Sequence, residues 1–144
     1  MSIFVDTSAF FALLDTDADE HRQASEIWLD LVESADGIVS SSYVLLETVA
    51  LIQRRLGMAA VAAFEADIVP MLSVAWLGAN DHSVAMQALL TAGRRQLSLV
   101  DCTSFETMRR LGIDTAFTLD QHFAEQGFDC LPQSQPLVRS QDHQ

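Results

Sequence analysis

Short apolar runs alternate along the chain with longer stretches in which apolar positions recur every third or fourth residue, the signatures of strands and helices in turn. Ile3–Val5 is a strand that stops at Asp6, and Ala9–Leu14 a turn of helix. From Asp17 to Glu33, Ala24, Ile27, Trp28 and Leu31 fall at helical spacing among charges and predict an amphipathic helix that ends at Asp36-Gly37. Ile38-Val39 is a second strand. Tyr43–Leu56 is apolar nearly all round and closes with Arg54, Arg55 and Gly57, which predicts a buried helix. Met58–Val69 is alanine-rich and helical up to Pro70, Leu72–Leu77 a third strand, and Asn80 or Asp81 the cap of a helix that Gly93 ends. Leu97–Val100 is an extended run into Asp101, and Thr103 with Glu106 has capping-box spacing for a helix ending at Gly112. "TAFTLD" is a strand into Asp120, "HFAEQG" a short helix with its glycine stop, and "FDCLP" a last strand.

Strands that alternate with helices predict an α/β fold, a parallel sheet covered by helices on both faces. Residues 1–132 form one domain on this reading, and 133–144 a polar, frayed tail. Ligands of such sheets gather at the carboxyl ends of the strands. Asp6, Asp101 and Asp120 each follow an apolar run, so the pattern predicts that they are neighbours. Each is also an ordinary helix N-cap candidate. Glu47 is different: Tyr43, Val44, Ala50 and Leu51 surround it at helical spacing, which turns it toward the buried side.

Composition sharpens the question of what neutralises these acids. Of 144 residues, 49% are hydrophobic, as in a folded globule, and 20 acids against 8 bases give a net charge of −12. That balance opposes non-specific binding to nucleic acid, so any such contact must be local. Every base is arginine, six of them in the pairs Arg54-Arg55, Arg94-Arg95 and Arg109-Arg110, which read as helix ends and as forks suited to phosphate. No apolar stretch is long enough for a membrane span and no basic leader opens the chain, so a cytoplasmic protein is expected. Cys102 and Cys130 lack C-x-x-C spacing and read as buried thiols. His21, His82 and His122 are scattered singly and give little support to a histidine metal site or a Ser-His-Asp triad.

A carboxylate among apolar neighbours becomes neutral, finds a cation or binds a metal. With no lysine and arginine only at helix ends, a divalent metal is the natural counter-charge. All-oxygen ligation suits Mg2+ or Mn2+. Such ions bind phosphates and activate water, so the constellation supports phosphodiester hydrolysis.

The stretches "FVDTSAF", "SSYVLLETVALI", "LSLVDCTSFETMRRLGI" and "AFTLDQHFAEQGF" resemble, in order and spacing, the motifs of PIN-domain proteins, especially the toxin ribonucleases of VapBC-type toxin–antitoxin pairs. The resemblance runs from Ile3 to about Pro132. It implies a PIN-like three-layer α/β/α sandwich with a central, mostly parallel sheet. It also implies an acidic pocket for Mg2+ or Mn2+ in which Asp6, Glu47, Asp101 and Asp120 are catalytic and metal-binding. Ser8, and Thr103 or Ser104, would orient those groups or water. The implied activity is endoribonucleolytic cleavage of RNA by a homodimer held in check by a cognate antitoxin. A basic antitoxin arm suits the negative chain. The alternatives are an RNA-processing nuclease without an antitoxin and a catalytically silent interaction module.

Two other acid-centred folds fail on named residues. A haloacid-dehalogenase-type phosphatase needs a second Asp where Ser8 stands, and a receiver domain needs a lysine.

Overall fold

Ile3, Phe4 and Val5 are all buried although successive strand residues face opposite ways, so the strand they form, β1 (Ser2–Val5), is covered on both faces and must lie at the centre of its sheet. The structure, a computed structural model describing residues 1–133, places it there. β2 (Gly37–Ser41) and β4 (Thr115–Phe117) flank it, with β3 (Ser73–Ala75) outside β2 and β5 (Asp129–Leu131) outside β4. All four pairings are parallel, with Phe4 in register with Val39 on one side and Ala116 on the other. The tail expected from Gln133 lies, beyond that residue, outside the described residues.

Parallel neighbours require crossovers, and the helices supply them. These are α1 (Thr7–Leu14), α2 (His21–Ser34), α3 (Ser42–Arg55), α4 (Met58–Ala63), α5 (Ala79–Ala92), α6 (Leu99–Leu111) and α7 (His122–Glu125). The sheet is thus an α/β/α arrangement flanked by helices. Phe10 packs edge-on against Phe64 with centroids 5.2 Å apart, and Phe105 against Phe123 at 5.0 Å. From β1 the chain crosses to β2 in one direction; from β4 it crosses to β5 in the other. The order therefore reverses between β1 and β4, and the crevice beyond their carboxyl ends is where a ligand site is expected.

Several boundaries differ from the sequence expectation. Asp17–Glu20 form turns, and α2 begins at His21. α3 is amphipathic rather than buried all round: Val44, Thr48 and Ile52 form its inner stripe, while Leu46 is 72% exposed. The Met58–Val69 helix breaks into α4, a π-helical turn at Phe64–Ile68 and a 3-10 turn at Val69–Met71, the last holding Pro70, which has no N–H to extend a helix. α5 is capped by Gly78, whose N–H donates to Asp81 three residues on.

The run Leu97–Val100 is not a strand. Ser98 accepts a hydrogen bond from the Asp101 N–H at 3.0 Å and donates its own N–H to the Asp101 carboxylate at 3.2 Å. This reciprocal box starts α6 at Leu99, in place of the one expected from Thr103 and Glu106. Gly93 and Gly112, both left-handed, end α5 and α6 as expected. Among the described residues no helix is long and apolar enough to cross a membrane.

Candidate active site

The carboxyl edge of the sheet is stitched by hydroxyls. Ser40 Oγ donates to the Val5 carbonyl at 2.9 Å, which ties β2 to β1, and Ser41 Oγ caps α3 by accepting from Val44 N–H at 3.2 Å. Ser42 Oγ accepts from Leu77 N–H at 3.0 Å and fastens the segment after β3. Thr48 on α3 donates to the Thr7 hydroxyl on α1 at 3.2 Å. Each of these short polar side chains satisfies a backbone group or a neighbour that strand ends and helix starts leave exposed.

Asp6 follows β1 directly and caps α1, but its strongest partners are not the cap. Its N–H donates to Phe117 O at 3.0 Å, extending the β1–β4 ladder by one residue and carrying the side chain to the switch point. Asp6 Oδ2 accepts hydrogen bonds from Ser8 Oγ at 2.8 Å and Thr118 Oγ1 at 3.1 Å, against 3.4 Å for the capping N–H of Ser8. Each hydroxyl is itself oriented by a backbone donor, Leu119 N–H on Ser8 Oγ and Asp120 N–H on Thr118 Oγ1, both at 2.9 Å. A hydroxyl has one proton, and with a donor already occupying the oxygen that proton goes to Asp6. Asp6 is 4% exposed. Burial, and secondarily the charge of Asp101, push its carboxyl up to about 6 against the pull of the two hydroxyls.

Asp101 sits in the first turn of α6, not at a strand end, and Asp120 follows β4 beyond Thr118. Burial raises the Asp101 carboxyl, and the Asp120 charge raises it further, against the Ser98 hydrogen bonds. Glu47, half-buried beside the inner stripe of α3, is raised by burial and by the charges of Asp101 and Asp120, with the Thr7 hydroxyl opposing. The acids are coupled pairwise: Asp6 feels Asp101, and Glu47 feels both Asp101 and Asp120. The N-termini of α1, α3 and α6 supply partial positive charge there, less than the formal charge of four carboxylates.

His122, set aside from sequence as a single scattered histidine, stands among these acids. Its Nδ1 lies 3.0 Å from Asp120 Oδ1 and 3.6 Å from Asp101 Oδ2, and its backbone N–H donates to Asp120 Oδ1 at 2.9 Å. One ligand atom from each of Asp101, Asp120 and His122 lies within 4.8 Å of the others, so these three can hold a metal ion. The spacing Asp120-x-His122 at a helix start was the available signal. His21 and His82 serve elsewhere, against the Ala12 carbonyl at 2.8 Å and the Tyr43 hydroxyl at 2.6 Å.

Thr103 and Ser104 are buried in α6, but both hydroxyls donate to the Val100 carbonyl, at 2.6 and 3.0 Å. Their protons serve the helix, whereas those of Ser8 and the unforeseen Thr118 serve Asp6. Cys102 is buried as expected; Cys130 is only half-buried. A hollow of about 540 Å³ lined by Met1, Thr115, Phe128 and Cys130 is separate from these acids. Ser8→Ala removes one of the two hydroxyls that hold Asp6, and is expected to lower metal affinity by roughly tenfold, measurable by calorimetric Mn2+ titration; an unchanged affinity would show that Ser8 does not position Asp6.

Comparison with known proteins agrees with this fold. Residues 3–129 match the model of the PIN domain family. The 23S rRNA-specific endonuclease VapC20 of Mycobacterium tuberculosis is 35% identical over 127 residues, spanning 88% of this chain and 95% of that protein. Its crystal structure, described as that of a sarcin-ricin loop cleaving toxin, aligns with a TM-score of 0.77 over the same shares. Two more distant structures share the fold. VapBC2 from Rickettsia felis, bound to a DNA fragment from their promoter, has a TM-score of 0.64 at 14% identity over 87% of this chain and 92% of that one. FitAcB from Neisseria gonorrhoeae has 0.63 at 17% over 90% and 96%. The chain belongs to the PIN domain family and is a VapC-type member of it.

Proposed function

We propose that this chain is a metal-dependent endoribonuclease, the toxin of a toxin–antitoxin pair, hydrolysing RNA phosphodiester bonds at the acidic site between β1 and β4. One observation carries the reading: acids from distant parts of the sequence gather at the switch point of a lysine-free chain, Asp101 and Asp120 with ligand atoms within 4.8 Å and Asp6 linked to Asp120 through the Thr118 hydroxyl. Asp6, Glu47, Asp101 and Asp120 would hold Mg2+ or Mn2+. The donor set fits, being rich in hard oxygens with a surplus of negative charge. When bound, such a cation supplies charge neutralisation and Lewis-acid chemistry to a phosphodiester.

The chain's own residues do the positioning. Ser8 and Thr118 hold Asp6 in one orientation, the Ser98 box holds Asp101 against α6, and the His122 N–H holds Asp120. The similarity to VapC20 makes ribosomal RNA the first substrate to test. A cytoplasmic homodimer of domains spanning 1–132, restrained by an antitoxin with a basic arm, completes the reading and suits a net charge of −12.

Arginines must meet the RNA backbone. Arg94 pairs with Glu125 at 3.1 Å and Arg110 approaches Asp81 at 4.0 Å, while Arg109 reaches Glu106 and Gln126 and lies over the Phe128 ring. Arg95 has no acidic partner among the described residues and sits on the exposed segment leading into α6 and Asp101, which the Arg94–Glu125 pair fastens to α7. Arg95→Ala is expected to weaken RNA binding and reduce the slope of log affinity against log salt by about 0.7, the loss of one single-strand phosphate contact. An unchanged slope would remove Arg95 from the RNA path.

The direct test incubates purified protein with ribosomal and transfer RNA in Mn2+, Mg2+ or EDTA and maps the new ends. Discrete, metal-dependent cuts are expected. Cleavage that persists in EDTA, or intact RNA under every metal condition, contradicts the reading.

A further inference from the structure

We propose that His122 donates a nitrogen ligand, through Nδ1, to the cation held by Asp101 and Asp120, and that this biases the site toward Mn2+ over Mg2+. The inference rests on the reading of this site as a metal centre and adds a donor that an all-carboxylate set lacks.

The observation behind it is an orphaned atom. The His122 side chain is 12% exposed, and Nδ1 is buried with no hydrogen-bond partner among the described residues, although carboxylate oxygens lie 3.0 and 3.6 Å away. Proximity without hydrogen-bond geometry is the wrong arrangement for an imidazolium serving as counter-charge, which would aim an N–H at one oxygen. It suits ligands of a common centre, whose lone pairs would point at an ion and not at one another. The three donor atoms fall within 4.8 Å of each other, a span that ligands at the usual distances from one cation occupy. His21 and His82 provide the contrast, since each has a hydrogen-bond partner.

The local sequence fixes this placement. His122 is the first residue of α7, and its N–H donates to Asp120 Oδ1, so the backbone that carries the ring is tied to a ligand two residues away. Phe123, fully buried against Phe105, locks α7 in place. Imidazole binds Mn2+ and the later divalent metals better than Mg2+, which prefers oxygen and keeps its waters.

The test measures Mn2+ and Mg2+ affinities calorimetrically for the full chain and for His122→Ala, together with pulsed EPR of bound Mn2+ for nitrogen hyperfine coupling. The expected result is nitrogen coupling in the native protein that disappears in the variant. Mn2+ affinity should fall by roughly tenfold or more, with a much smaller change for Mg2+. Native protein that binds Mn2+ without nitrogen coupling overturns the inference and leaves the metal centre intact, as does a variant that binds Mn2+ equally or more tightly. Native protein that binds neither ion overturns both. If the variant fails to fold, the nitrogen coupling of the native protein decides.

Discussion

Asp6→Asn is expected to abolish RNA cleavage, by more than about a hundredfold, while leaving the metal-free protein folded and more stable at pH 8. The loss follows from removing a charged ligand of the proposed metal centre, since even an outer partner of a metal ligand can cost that much. The gain follows from what Asp6 endures without a cation. Its carboxyl, raised from 3.8 to about 6 chiefly by burial, stores roughly 3 kcal/mol of unfavourable ionisation at pH 8. Asparagine keeps the volume and, through Oδ1, can still accept from Ser8 Oγ and Thr118 Oγ1. Some of the gain is offset by the amide group, so the thermal midpoint in EDTA should rise by a few degrees. A variant that cuts RNA at the native rate, or that unfolds at neutral pH, contradicts the role assigned to Asp6.

The second large effect is the exchange between protons and metal at the same acids. Asp6 holds its proton up to about pH 6 in the folded protein but only to about 4 when unfolded, so between these values the folded state binds more protons. Stability from this source is complete below about pH 4 and is lost as pH rises through about 6. Glu47 and Asp101 are raised too and act in the same direction. The difference in stability between native protein and Asp6→Asn isolates this contribution from the surface acids. Measured in EDTA by scanning fluorimetry, it should grow in favour of the variant between pH 4 and 7. Mn2+ at a hundred times its dissociation constant should restore about 2.7 kcal/mol to the native protein at pH 8, and much less to the variant. A difference that is flat with pH, or a midpoint indifferent to Mn2+, would mean that these acids do not share one cation.

Strand and helix alternation, visible in the spacing of apolar residues, carried the fold, and the carboxyl ends of β1 and β4 carried Asp6 and Asp120. The resemblance added the order of the motifs. Asp101 shows where pattern reading ran out. Leu97–Val100 is too short for periodicity to separate strand from helix, and of two possible capping boxes the decisive one uses Ser98. Glu47, expected on the buried side, is half-buried instead, because it flanks the buried stripe of Val44, Thr48 and Ile52 rather than lying within it. Thr118 was not foreseen, and His122 was set aside as a single histidine, for a different reason. Their roles depend on distances to Asp6, Asp101 and Asp120 that only the packed sheet brings about, as Ser8 and Thr118, far apart in the chain, meet at 3.3 Å.

Diffraction from crystals grown with Mn2+, recorded at the manganese absorption edge, addresses the site most directly. The predicted result is anomalous density among the carboxylates of Asp6, Glu47, Asp101 and Asp120, on the carboxyl side of β1 and β4. Manganese bound only elsewhere, with Glu47 turned into solvent, would contradict it.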